Sequence, residues 1–231
     1  LVFVEDHKHL GVTLSNNGQW KAHIESILNS ASKVVGIMRK LKFTLGRKAL
    51  NQIYISYVRP LLEYSSIVWG GCTEQDSICL ERLQNEAARI VTGLTRSVSL
   101  ANLYTECGWE SLSYRRNLQK YYFMYKVNNN IVPSYVTDLM PPSVNQRTEY
   151  TLRNQNNFTV PFCRTEIFKR SCIPSSIELW NALDATKRNS ETLTLFKSSY
   201  VNKKEKVPKY YLHGKRHLAV LHARIRNNCS N

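Results

Sequence analysis

Aspartate is scarce in this 231-residue chain. There are four, Asp6, Asp76, Asp138 and Asp184, and no two are adjacent or one residue apart. Phosphoryl transfer by two metal ions needs carboxylates that converge on those ions, and no such pair is written here. Glycine is sparse too, at nine, and none builds a Gly-rich loop that would cradle phosphate. No apolar run nears the roughly 18 residues that span a bilayer. A basic start followed by an apolar core and a small-residue cleavage site is also lacking, so no signal peptide is expected. An intracellular setting follows as an expectation, with the sequons at Asn157-Phe158-Thr159 and Asn228-Cys229-Ser230 left unglycosylated. Six cysteines (72, 79, 107, 163, 172 and 229) lie far apart and read as reduced, mostly buried thiols.

Acid as a whole is short: 17 carboxylates against 32 lysines and arginines give a formal net charge of +15. That balance favours a polyanionic partner, nucleic acid first and an anionic membrane surface second. The shortage is local. From Ser26 to Leu62 there is no acid, while Lys33, Arg39, Lys40, Lys42, Arg47, Lys48 and Arg59 fall in that window. Such a cluster can neutralise phosphates and release their counterions. A second acid-free window, Ser111 to Thr137, holds Arg115 and Arg116, and the tail from Lys203 to Arg226 has eight basic residues against Glu205. The plainer reading of the tail is a solvated basic end.

What is present is helical periodicity. "LVFV" and "HLGVTL" read as two short strands joined by the polar "EDHK". After the turn cluster "SNNGQ", Trp20, Ile24, Ile27, Leu28, Ala31, Val34, Val35, Met38 and Leu41 mark a long amphipathic helix. Leu50, Ile53, Tyr54, Tyr57, Leu61, Tyr64 and Val68 continue a helical stripe across Pro60, which should divide it. Their spacing favours core over base stacking for the tyrosines. Leu80, Leu83, Ala87, Ile90, Val91 and Leu94 line the next helix, weakened at Gly93. A short helix at 99–106 precedes one carrying Leu118, Tyr121, Tyr122 and Tyr125 on one side and Arg115, Arg116, Lys120 and Lys126 elsewhere. Periodicity fades near 128–156, a linker or loose segment. Beyond it come an edge strand in "FTVPFCRT", a short helix in "PSSIELWNALD" capped by Ser175 or Ser176, another at 190–201 and a last one at about 215–227.

Other chemistry finds little support. His213, His217 and His222 before Cys229 fit no standard zinc spacing. Cys72 or Cys107 as a nucleophile with His23 has no motif behind it. No cofactor is implied.

The ordered set "KHLGVTL…GQWKAHI", "RPLLEYSSIVWG", "LERLQNEAARIVTG", "LSYRR", "PSSIELWNAL" and "FK" resembles the C-terminal part of non-LTR (LINE-type, jockey or CR1-like) retrotransposon reverse transcriptases, over nearly the whole chain. The tail "YYLHGKRHLAVLHARIRNNCSN" is similar to the segment before a terminal Cys/His cluster in some of them. The resemblance implies roles by position. Lys8, His9, Leu10 and Gly11 would match the strand at the end of the palm, near the primer grip. Trp20 and His23 would open the following helix. Residues 20–94 would be the helical thumb, with Tyr54 to Trp69 inside it and Pro60 turning the chain. Arg59 and the acid-free cations, with Arg115 and Arg116, would face the backbone of an RNA or DNA template–primer duplex. The palm and fingers would be the protein partner. The family's paired catalytic aspartates have no match here, so no activity is expected of this chain alone, and it reads as a piece of something longer.

The expected fold is therefore mainly α: a palm-end β hairpin at 1–14, a helical thumb-like domain at 15–127, the segment 128–156, and a C-terminal extension of short helices at 157–231. Two alternatives stay open, a helical protein-interaction scaffold from a decayed or domesticated element, and, far behind, an independent hydrolase.

Overall fold

The computed structural model describes residues 4–146, 156–200 and 216–228. Several expectations fall outside that range: a strand begun at Leu1, the middle of the segment 128–156, the first part of the basic tail with His213 and Lys215, and Cys229. The described chain is mainly helical, with one two-stranded antiparallel sheet near its start. Contacts divide it into two compact units. The first comprises Leu1–Tyr64, Thr73–Tyr114 and Lys203–Asn231, the second Ser65–Cys72 and Arg115–Asn202. This division differs from the boundaries read in sequence: the last helix joins the first unit, and residues 128–146 fold with the second.

In the first unit, β1 (Asp6–His9) and β2 (Val12–Ser15) pair with His9 opposite Val12, closed by Leu10 and Gly11. Both turn residues have positive φ, 45° and 83°. That conformation suits the right-handed twist of a two-residue hairpin, and a glycine at the second position carries no Cβ penalty. The polar "EDHK", read as a connector, is thus largely strand, because the turn chemistry lies four residues later. Helix α1 (Lys21–Leu41) buries Ile24, Ile27, Ala31, Val35 and Met38. Helix α5 (Glu74–Thr92) packs against it. Thr73 caps α5 by accepting from the Asp76 amide at 3.2 Å, and Gly93 ends it at φ +76°.

The segment around Pro60 departs from expectation. Helix α2 (Arg47–Ile53) runs through a π-helical turn (Tyr54–Val58) into α3 (Arg59–Glu63) without a break in helical dihedrals. Pro60 lies in the first turn of α3, directly after the π-helical turn. The chain turns instead at Tyr64 and Ser65, the latter at φ +50°. The buried row is Leu50, Tyr54, Val58 and Leu62, stepping by four. Three such steps would drift around a 3.6-residue helix, and the wider π-turn absorbs the drift. The same widening turns Tyr57, at 65% exposure, with Leu61 and Tyr64 out to solvent. They were expected inside.

Buried polar groups fix the packing. Tyr54 stacks on Trp109 at 3.6 Å and donates its hydroxyl to Gln84 Oε1, while Gln84 Nε2 donates to the Glu110 carbonyl at 3.0 Å. Trp109 Nε1 donates to Asn51 Oδ1 at 2.8 Å. Helix α6 (Leu100–Cys107) is capped by Ser99, which accepts from the Asn102 amide at 3.3 Å. Helix α13 (Arg216–Arg226) lies against the end of α5, with Val220 over Gly93.

The second unit gathers α4 (Ser66–Trp69), most of α7 (Leu112–Asn128), α8 (Ser134–Thr137), α9 (Glu166–Arg170), α10 (Cys172–Asn181), α11 (Ala185–Arg188) and α12 (Leu193–Ser198). Its core is Met124, Tyr125, Ile177, Trp180 and Phe196, with Phe196 stacked on Tyr125 at 4.6 Å. The expected edge strand at 158–165 is no strand. Phe158 makes one antiparallel bridge to Ser143, and Pro161 offers no donor to extend it. Helix α10 starts earlier than read, after Ser171 rather than Ser175 or Ser176, because Pro174 fits within its first turn. On α7, Arg116 and Lys120, expected away from the side that carries the tyrosines, are buried as Met124 and Tyr125 are.

Candidate nucleic-acid interface

The acid-free row from Lys33 to Arg59 lies within the first unit, and the fold sorts it into several fates. Lys33, Lys40 and Lys48 are exposed, and Lys42 and Arg59 are half-buried. Arg39 and Lys40 occupy the last turn of α1, where cations complement the helix dipole in any case. Arg39 pairs with Glu86 on α5.

Arg47 is the clear correction. It is 8% exposed, its guanidinium donates to the Glu106 carbonyl, and Nη1 lies 3.9 Å from Glu106 Oε2. A guanidinium enclosed this way holds two parts of the fold together and is withdrawn from phosphate. Glu106 also faces Arg226 at 3.5 Å and Asn227 Nδ2 at 3.4 Å. Arg116, in the second unit, is likewise withdrawn: it is 5% exposed, with its guanidinium 6.0 Å from the Trp69 ring centroid. Arg115 beside it is half-buried. Lys120 donates to Ser175 Oγ at 2.9 Å, and burial lowers its pKa.

The primer-grip-like residues form the end of the hairpin. Lys8 and His9 are exposed strand residues, and Leu10 and Gly11 are the turn. The hairpin is tied to the start of α1, since the Thr13 amide donates to His23 Nδ1 at 3.3 Å. His23 is buried, and burial, then the charge of Lys8, lowers its pKa. Lys40 stands seventeen residues further along the same helix, ~25 Å away at 1.5 Å per residue. The two groups named from sequence are therefore separate. At the open end of the hairpin, away from the turn, Glu5, Asp6 and Glu25 stand beside Lys21 in one shallow pocket.

At the other end of α1 a groove opens in two adjoining lobes, of about 400 and about 750 Å3. Arg39, Lys42, Arg89, Arg216 and Arg224 line the first, with Glu86 its sole carboxylate among the described residues. Lys42, Phe43, Arg216 and Arg224 also line the second. Arg216 donates to the Ile90 and Val91 carbonyls at 2.7 and 3.1 Å, and Arg224 Nε to the Gly93 carbonyl at 3.3 Å. These bonds satisfy the carbonyls left open at the end of α5 and fix both guanidinium groups in place. Each has further N–H donors for the groove.

The sequence places Arg216 and Arg224 in a basic tail whose contact with polyanion or with solvent it leaves open, and singles out neither Arg89 nor Phe43. The available signal was the spacing of Arg216, Val220 and Arg224 by four, which puts two cations and an apolar residue on one helix face.

Chemistry beyond charge is thin. Among the described residues no cluster of His, Cys, Asp and Glu could hold a metal ion. The five described cysteines are reduced thiols. Cys107 is buried, and its thiol is pushed up to about 12 and directed at the Ala88 carbonyl, which leaves no thiolate for attack. Among the described residues no helix is long and apolar enough to cross a membrane. Compared with protein-family models, curated proteins and solved structures, the chain matches none.

Proposed function

We propose that this chain binds nucleic acid through the phosphate backbone, without catalysis of its own, in the groove between the end of α1, the end of α5 and α13. The carrying observation is that, among the described residues, five cationic side chains surround one groove against a single carboxylate. That excess suits a ligand bearing several negative charges along a line. The sequence resemblance to the thumb and C-terminal extension of a non-LTR reverse transcriptase supports the same reading, with an RNA or DNA template–primer as ligand and the polymerase palm and fingers as partner.

Affinity measured against salt tests the binding. Neutralising ~3 phosphates gives a slope of log K against log salt of about −3. Lys42→Glu should weaken binding to every sequence alike, since phosphate contacts carry no base information. An affinity that barely moves between about 50 and about 200 mM salt would sink the proposal. The family assignment has its own test in the coding sequence on either side: an upstream frame with paired aspartates supports it, and an unrelated frame counts against it.

A second reading rests on the exposed apolar face made by Tyr57, Leu61, Tyr64 and Leu10, with the Tyr64 hydroxyl donating to the Leu10 carbonyl at 2.9 Å. Such a face suits a protein surface, and the polymerase palm would be its partner. Tyr57→Glu should abolish co-purification with that partner and leave nucleic-acid affinity unchanged.

A further inference from the structure

Phe43 is the most exposed large side chain of the α1–α2 turn, at 82%, and both lobes of the groove share it. A lone apolar residue on a surface needs no explanation. This one is distinguished by its surroundings. Lys42 Nζ lies 4.9 Å from the ring centroid, and Arg216 and Arg224 line both lobes alongside it. A flat apolar ring open to water among fixed cations offers what a nucleotide needs: a face for the base and donors for the phosphates on either side. The lobes match the usual size of small-ligand sites and meet at Phe43 and Lys42. A strand can thus pass from one lobe to the other. In a duplex the bases are stacked on one another and cannot reach the ring without leaving the stack.

We infer that the groove receives an unpaired stretch of RNA or DNA, with one base stacked on Phe43 and its flanking phosphates held by Lys42, Arg216 and Arg224. This rests on the proposed function and deepens it, from a backbone grip on nucleic acid in general to a site that prefers a single strand.

The experiment uses the full chain with a 2-aminopurine oligonucleotide, free as a single strand and paired in a duplex, in RNA and DNA versions. Stacking on an aromatic side chain contributes roughly 1–3 kcal/mol per base, which corresponds to about 5- to 150-fold in affinity. Phe43→Ala should weaken single-strand binding by that factor, change duplex binding by less than about twofold, and remove the fluorescence change on binding. Phe43→Trp should restore both. Since the ring is almost wholly exposed, neither substitution disturbs the core. Equal weakening of single strand and duplex, or no weakening of either, overturns the inference. So does a mononucleotide such as ATP binding as tightly as the strand. Lys42→Glu run in parallel separates the two claims. Salt-dependent binding that Lys42→Glu weakens and Phe43→Ala leaves alone overturns the inference and spares the proposed function. Failure of the wild-type chain to bind any of the probes with salt dependence overturns both.

Discussion

Replacing Glu106 by Gln should destabilise the first unit by about 3–5 kcal/mol. The carboxylate is 3% exposed and Arg47 8%, with 3.9 Å between their charged atoms. At an effective dielectric of about 20, Coulomb's law gives this pair about 4 kcal/mol of attraction. Forming it also desolvates both groups, so its net contribution is smaller. Deleting one partner is another matter, because the other charge stays buried without its counterpart, at a typical cost of 3–5 kcal/mol. The contact with Arg226, which is half exposed, adds at most about 1 kcal/mol. Urea unfolding of the wild type and of Glu106→Gln reads the difference directly. The double variant Arg47→Met with Glu106→Leu should recover most of the loss, since an apolar pair of similar volume needs no counter-charge. A single-variant loss below about 1 kcal/mol would refute this reasoning. So would a double variant as unstable as the two singles added together.

Gly93→Ala should cost roughly 1–2 kcal/mol for the left-handed backbone alone, and more from the new Cβ, which would lie 2.5 Å from Val220 Cγ2. Hydrogen exchange along 216–228 should speed up as α13 loosens, and Val220→Ala in the same chain should slow it again. His23 gives a pH dependence of defined sign. Its folded pKa lies below the ordinary 6.5, so the folded state favours the neutral ring. That stability is complete above about pH 6.5 and is lost as pH falls through the folded value. Unfolding measured from pH 8 to pH 5 should show the decline in the wild type and a flatter profile in His23→Gln. Equal profiles would mean that burial does not hold the His23 ring neutral.

Periodicity made the long helices legible. The buried faces of α1 and α5 agree with the apolar spacing, and Gly93 ends α5 where its lack of a Cβ predicts. Reading failed where something other than periodicity decides burial. Gln84 and Asn85 are buried on α5 because Tyr54 and Tyr104 bring partners to them, and no pattern within α5 announces that. The π-turn shifts a helix face without any change in composition, which put Tyr57 and Tyr64 on the wrong side. For the site, acid-free windows located cations but not their neighbours. Glu86 and Glu106 arrive from other helices to take Arg39 and Arg47, while Arg216 and Arg224 arrive from more than 120 residues away to build the groove. Partners that distant in sequence carry no local signal.

Lysine acetylation footprinting, with and without a single-stranded oligonucleotide, tests the central claim most directly. Lys42 stands at the groove, and Lys21, exposed among Glu5, Asp6 and Glu25, stands at the opposite end of α1, ~30 Å away. The account predicts that bound nucleic acid protects Lys42 and leaves Lys21 as reactive as before. Equal protection of both lysines, or protection of Lys21 alone, would contradict it.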